Sequence, residues 1–282
     1  MKPFNRLAAL LFIQIALISS YGLSQSRPNI FVVSREKKKK PDFTADYILA
    51  RAYINALHAP GKFVVIRASS SEAAARKIEK IMRHRKTNIG SLWFDSHGHY
   101  GDRYASFTIG RDKFSWHNIG DTNCTRHLKR IARYCDERTR VGLGACYAGA
   151  DYTFPATDTS EAVPMRGDSL LAGLGNVFSQ TPIYGSKSWV MARPGMFTRK
   201  YGLVGNMPQR RYKDVVFTPV WESMGQWTVY HPKADTCIPA ATVSITRWGD
   251  IRVQEDYNSH PQNAKKINRK KASLQPGLAR FK

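Results

Sequence analysis

Four short apolar runs constrain the fold of this chain more than any other feature. They are Asn29 to Ser34 (NIFVVS), Lys62 to Arg67 (KFVVIR), Ile89 to Asp95 (IGSLWFD) and Arg140 to Ala145 (RVGLGA), and segments with helical spacing separate them. Strands that alternate with helices of roughly ten or more residues form βαβ units, which build a mainly parallel sheet with helices on its faces. Helices are expected over Phe43 to His58, from a capping box at Ser69–Glu72 to about His84, over Thr125 to Tyr134, and over Asp168 to Phe178. A fifth strand is expected at Pro182 to Gly185, and a hairpin at Tyr104 to Trp116 turning near Gly110-Arg111-Asp112. The fold class is therefore α/β, a three-layer sandwich around a mainly parallel central sheet.

The pattern changes past Gly202. Val215 to Val220, Gln226 to Tyr230 and Ala241 to Glu255 read as strands, the last with a turn at Trp248-Gly249-Asp250. This gives a main domain over 28–213, a β-rich C-terminal extension over 214–257, and a basic mobile tail over 258–282. The first 24 residues stand apart. Lys2 and Arg6 precede an apolar run from Leu7 to Ile18 broken only by Gln14, and small residues follow at Ser20, Gly22 and Ser24. That is the pattern of a secretory signal peptide, so the mature chain is expected to be secreted or periplasmic. No later segment has the length and apolarity of a transmembrane span.

The sequence carries 44 lysines and arginines against 21 acids, a formal net charge of +23. Such a surface suits polyanions, and a polyanion partner is one expectation. Arg35 to Lys40, and the cluster Lys265, Lys266, Arg269, Lys270 and Lys271, read as solvated loop and tail. The four cysteines are Cys124, Cys135, Cys146 and Cys237, with no CxxC pair. If Cys146 is a free nucleophile, at most one disulfide forms among the rest.

Two strand ends carry reactive side chains: Asp95-Ser96-His97-Gly98-His99 after the third strand and Gly144-Ala145-Cys146-Tyr147-Ala148-Gly149 after the fourth. In a parallel sheet both ends face the same side, where ligands bind. If these strands are neighbours, His97 and Cys146 meet. A thiolate attacks a carbonyl, a nearby imidazole generates it and then protonates the leaving amine, and amides stabilise the oxyanion. Gly98 lets the backbone approach closely beside His97, and the Cys146 amide is a second donor. Gly144 and Gly149 leave room for a substrate chain.

Strand-then-His-Gly followed by strand-then-Ala-Cys resembles the caspase-like cysteine peptidases, the group of caspases, legumains, gingipains and clostripain. His97 stands about 50 residues before Cys146, the caspase spacing. Ala145-Cys146 and Gly149 match the caspase cysteine motif; the glutamine before the alanine is missing, and so is the acidic residue of the metacaspase pattern. The resemblance covers roughly Asn29 to Gly185. It implies a caspase-like fold, a catalytic dyad of His97 and Cys146, an oxyanion hole from the Gly98 and Cys146 amides, a peptide or protein substrate and no cofactor. The loops at Thr153 to Met165 and Lys187 to Lys213 are where specificity would lie, and Asp151 and Asp158 read as loop residues.

Two other classes fit parts of the sequence. His97, His99 and Asp102 resemble the His-rich run of metallo-β-lactamase-like hydrolases, with His117 and His127 as remote ligands. Arg199-Lys200-Tyr201 and Arg210-Arg211-Tyr212-Lys213 interleave cations with aromatics, as a basic polyanion-binding protein on a degenerate caspase-like fold would. Gly142-x-Gly144 is followed by Tyr147 where a dinucleotide fingerprint needs glycine or alanine. Phosphate-loop and Gly-x-Ser-x-Gly motifs are absent, which excludes those readings.

Overall fold

Along β1 (Asn29–Ser34) the side chains alternate between two cores. Ile30 and Val32 enter one, Phe31 and Val33 the other, the period-two pattern of a strand buried on both faces. The computed structural model describes residues 26–35, 43–98, 104–154, 161–188, 190–192, 204–206, 227–240, 242–246 and 248–254. Beside β1 lie β2 (Phe63–Ala68) and β3 (Ser91–Asp95). The hairpin β4 (Ser106–Ile109) and β5 (Asp112–Ser115) precedes β6 (Arg140–Leu143). Two short strands, β7 (Thr153–Phe154) and β8 (Val163–Pro164), lead to β9 (Ile183–Ser186). β10 (Val190–Ala192), β11 (Val204–Asn206), β12 (Trp227–His231), β13 (Thr236–Ala240), β14 (Thr242–Ile245) and β15 (Ile251–Gln254) complete the described strands.

Among the described residues the central sheet has seven strands in the order β13-β12-β9-β6-β3-β1-β2. From β9 to β2 the neighbours are parallel, whereas β12 and β13 are antiparallel. Helices α2 (Ser71–Met82), α3 (Thr122–Ala132) and α4 (Gly167–Val177) bury Ile78, Leu128, Ile131, Leu170 and Leu174 on one face, together with Phe107 and Phe114 of the hairpin. The other face is covered by α1 (Phe43–Leu57), through Ile48, Leu49 and Ala52, and by the antiparallel sheet β10-β11-β14-β15, through Val243, Ile245 and Ile251. These layers form an α/β sandwich with a mostly parallel centre.

The β-rich stretch past residue 214 does not stand apart from the main sheet. β12 pairs with β9, Trp227 opposite Ser186 and Tyr230 opposite Ile183, and β13 forms the sheet's outer edge. Ile251 of β15 donates its amide to Ser91 Oγ of β3, across 160 positions of sequence. The expected strand at Val215 to Val220 lies outside the described residues, as do residues 1–24, Lys37 to Lys40 and 258–282. Among the described residues no helix is long and apolar enough to cross a membrane.

The start of α2 corrects the expected capping box. Ser70, not Ser69, caps the helix, its hydroxyl accepting from the Ala73 amide at 3.1 Å. Tertiary contacts set the start: the Ser71 amide donates to Asp112 of β5 at 2.7 Å, and the Ser69 carbonyl accepts from the Arg111 amide. Glu72 therefore falls outside the reciprocal position.

A half-buried polar knot closes the sheet at the opposite end from the site. Arg27 donates to both carboxylate oxygens of Asp136 and, at 2.7 Å, to the Ile89 carbonyl, while Asn88 adds a 2.8 Å bond to Asp136. The Arg27 hydrogen bond is the largest influence holding the Asp136 carboxyl well below the usual carboxylate range. A depressed folded pKa contributes stability that is complete above the unfolded value of about 3.9 and is lost as pH falls toward the folded value. Arg27→Met should lower unfolding free energy at neutral pH by about 2 kcal/mol. The gap to wild type should narrow below about pH 4, as urea unfolding across that range will register.

Candidate active site

β3 and β6 are parallel neighbours, paired from Ser91 with Arg140 to Phe94 with Leu143. Their C-terminal ends open on the same side, and the Gly144 amide extends the ladder by donating to the Phe94 carbonyl at 2.7 Å. His97 is exposed two residues beyond β3, and Cys146 is half-buried three residues beyond β6. Gly98 lies backbone to backbone against Cys146: a Cβ added at Gly98 would collide with the Cys146 carbonyl oxygen. Only glycine permits this approach. Ser96 anchors the loop from the other direction, its hydroxyl accepting from the Thr108 amide of β4 at 3.1 Å.

The cysteine loop is fixed more firmly still. Tyr147 adopts a left-handed conformation, φ 63°, uncommon for a non-glycine residue, and its side chain is buried. Its amide donates to Ser188 and that of Gly149 to Ser186, both at 2.9 Å. The backbone of Gly149 packs on Gly185 of β9. The expected room around Cys146 is thus already filled by chain: Gly144 makes space for the Trp93 indole and the Asp95 carboxylate, and Gly149 for β9.

Burial is the largest influence on the Cys146 thiol and pushes its pKa up. The amides of Val190, Gly98 and Cys146 itself pull the other way, while the Asp95 carboxylate reinforces the rise. The Val190 amide lies 3.4 Å from Sγ, and the thiol points back to the Val190 carbonyl at 3.8 Å. Val190 and Asp95 were not singled out by sequence reasoning. Val190 acts through its backbone and leaves no side-chain signal. Asp95 does leave one, as the acid ending an otherwise apolar strand; it is buried, at 7% exposure.

The other expected residues fall as follows. His99, Asp102, Asp158 and the cation–aromatic runs at 199–201 and 210–213 lie outside the described residues. Among the described residues no three His, Cys, Asp or Glu side chains gather in a metal-binding group. His127 lies on α3 between Arg126 and Arg130, which hydrogen bond to its ring; burial first, and then these two cations, lower its pKa. His117 stacks on Trp116 and meets Tyr104 edge-on. Asp151 is held by Lys187 at 2.8 Å, as a loop residue would be. All four cysteines are free, and burial is the first cause raising the thiols of Cys124, Cys135 and Cys237.

No family model matches the sequence, and no curated protein matches it. Among solved structures, caspase-1 from Spodoptera frugiperda is similar at 11% identity with a TM-score of 0.32, over 61% of this chain and 64% of that one. The match thus spans under two thirds of that caspase's length.

Gly98→Ala should push the His97 loop away from Cys146 while leaving the cores intact. The alkylation rate of Cys146 should change at least threefold with little change in melting temperature, as intact-mass labelling and circular dichroism together will show.

Proposed function

We propose that this chain is an exported cysteine peptidase in which Cys146 is the nucleophile and His97 the general acid and base. The observation that carries the reading is the backbone contact of Gly98 with Cys146 at the ends of adjacent parallel strands. It sets an imidazole-bearing loop beside a thiol, with the Gly98 and Cys146 amides turned toward the sulfur.

The chemistry follows from the electrostatics. Burial keeps the resting sulfur protonated, so attack is coupled to transfer of the thiol proton to His97. Sulfur bonds to the substrate carbonyl carbon, and the carbonyl electron pair moves to oxygen. The Gly98 and Cys146 amides would stabilise that charge. Collapse expels the amine with the proton from His97 and leaves a thioester. Water, deprotonated by His97, then releases the acid and restores the thiol. The Tyr147 amide is committed to the Ser188 carbonyl and is not assigned to this role.

With peptide-library substrates, Cys146→Ala should abolish hydrolysis, and His97→Ala should reduce kcat/KM by about 100-fold or more. Turnover unaffected by Cys146→Ala would sink the reading. Because burial raises the thiol pKa, alkylation of the resting protein by iodoacetamide should climb with pH through an inflection above the ordinary value of about 8.5. An inflection in the acidic range would instead indicate a preformed thiolate–imidazolium pair.

A further inference from the structure

We propose that the open edge of β2 is a docking groove for an extended acidic peptide segment, a site that does not depend on the chemistry at Cys146. Among the described residues β2 ends the central sheet, and a groove of 460 Å³ lies against it. Tyr53 of α1 lines it, as do Lys77, Lys80 and Ile81 of α2; Val65 and Arg67 belong to β2, and Arg35 lies just past β1. The two helices cover opposite faces of the sheet, so the groove is a slot with the strand edge in it.

The ladder shows which backbone groups face that slot. The Asn29 amide donates to the Lys62 carbonyl and the Arg35 amide to the Ala68 carbonyl, both at 2.7 Å. In a parallel pair the peptide groups of alternate residues turn to the same side. Residues 64 and 66 therefore bond to β1, while Phe63, Val65 and Arg67 turn outward. The Phe63 amide is taken by the Ala59 carbonyl at 3.0 Å, and the Arg67 carbonyl by Lys77 Nζ at 2.7 Å. Both backbone groups of Val65 and the Arg67 amide are left facing the slot, the row an added strand pairs with.

Charge selects the occupant. Arg35, Arg67, Lys77 and Lys80 are exposed; among the described residues none of them is paired with a carboxylate and none of those lining the groove is an acid. A strand carrying carboxylates meets cations on both sides, Arg67 on the α1 side and the two lysines on the α2 side. Lysine and arginine on an edge also discourage indiscriminate pairing, so the groove rejects neutral and basic strands while admitting acidic ones.

The test is fluorescence anisotropy of a labelled peptide of alternating glutamate and valine on the full chain at low ionic strength. Wild type should bind, and added salt should weaken the complex. The double variant Arg67→Glu with Lys80→Glu should lose at least tenfold in affinity. Val65→Pro should lose a similar factor, since it deletes the outward amide and no bond to β1. The same peptide N-methylated at every residue has no backbone amide left to donate on either edge and should bind wild type at least tenfold more weakly, a measurement that needs no protein variant. No binding by wild type, or full binding by the double variant, overturns the proposal. Equal binding of the methylated and unmethylated peptides, or tighter binding of an oligonucleotide of the same charge, also overturns it, in favour of a plain polyanion patch.

Discussion

Everything at the candidate site depends on the register of one parallel pair, β3 with β6. With Phe94 opposite Leu143, the ladder runs one step further to Gly144, and both strands stop where the two loops meet. A slip of one residue would turn the side chains of β6 to the opposite faces. The register is held by packing as well as hydrogen bonds. Trp93 of β3 leans across Gly142 and Gly144, where any Cβ would strike its indole, and it contacts Trp227 with ring centroids 5.9 Å apart. The glycines of β6 are thus a consequence of the tryptophan beside them.

The same packing sets the electrostatics of the site. Burial first, and then the Asp95 carboxylate, disfavour the anion of the sulfur, opposed by three amides, that of Val190 foremost. A thiol in such surroundings is quiet until a base is brought to it, and in the proposed reaction His97, exposed beyond β3, would be that base. The polar residues that hold the scaffold lie away from this chemistry. Arg27 and Asp136 fasten the far end of the sheet, and Glu79 of α2 joins Arg130 of α3 in a two-point ion pair that lowers the glutamate's pKa, chiefly through the hydrogen bond.

Much of this was legible in the sequence because strands buried on both faces are written as continuous apolar runs. β1 has the expected bounds, and β2, β3, β6 and β9 lie within a residue or two of theirs; the hairpin turns at Gly110, φ +62°, where its glycine stood. What escaped notice is set by contacts distant in sequence. The capping serine of α2 is chosen by Asp112, some 40 positions away, and β13 (TCIPA) has no apolar run, forming only because β12 offers it an edge. Placing β12 beside β9 required knowing that the parallel strands end there. At the site, His97, Gly98 and Cys146 were visible as types at strand ends, whereas Val190 contributes only its backbone, which no sequence pattern encodes.

The sheet order also bears on how the chain is made. Residues from Asn29 to Leu143 supply β1, β2, β3 and β6, so both loops of the site can be joined early in synthesis. β9 follows and would still lack a neighbour on one side until Trp227 to His231 emerges to cover it. During that interval the nascent chain carries an uncovered strand of parallel sheet, the kind of edge that invites association between chains. The span from Ser186 to Trp227 therefore acts as a delay: the longer it takes to pass through the ribosome, the longer β9 depends on chaperones to keep it from other strands.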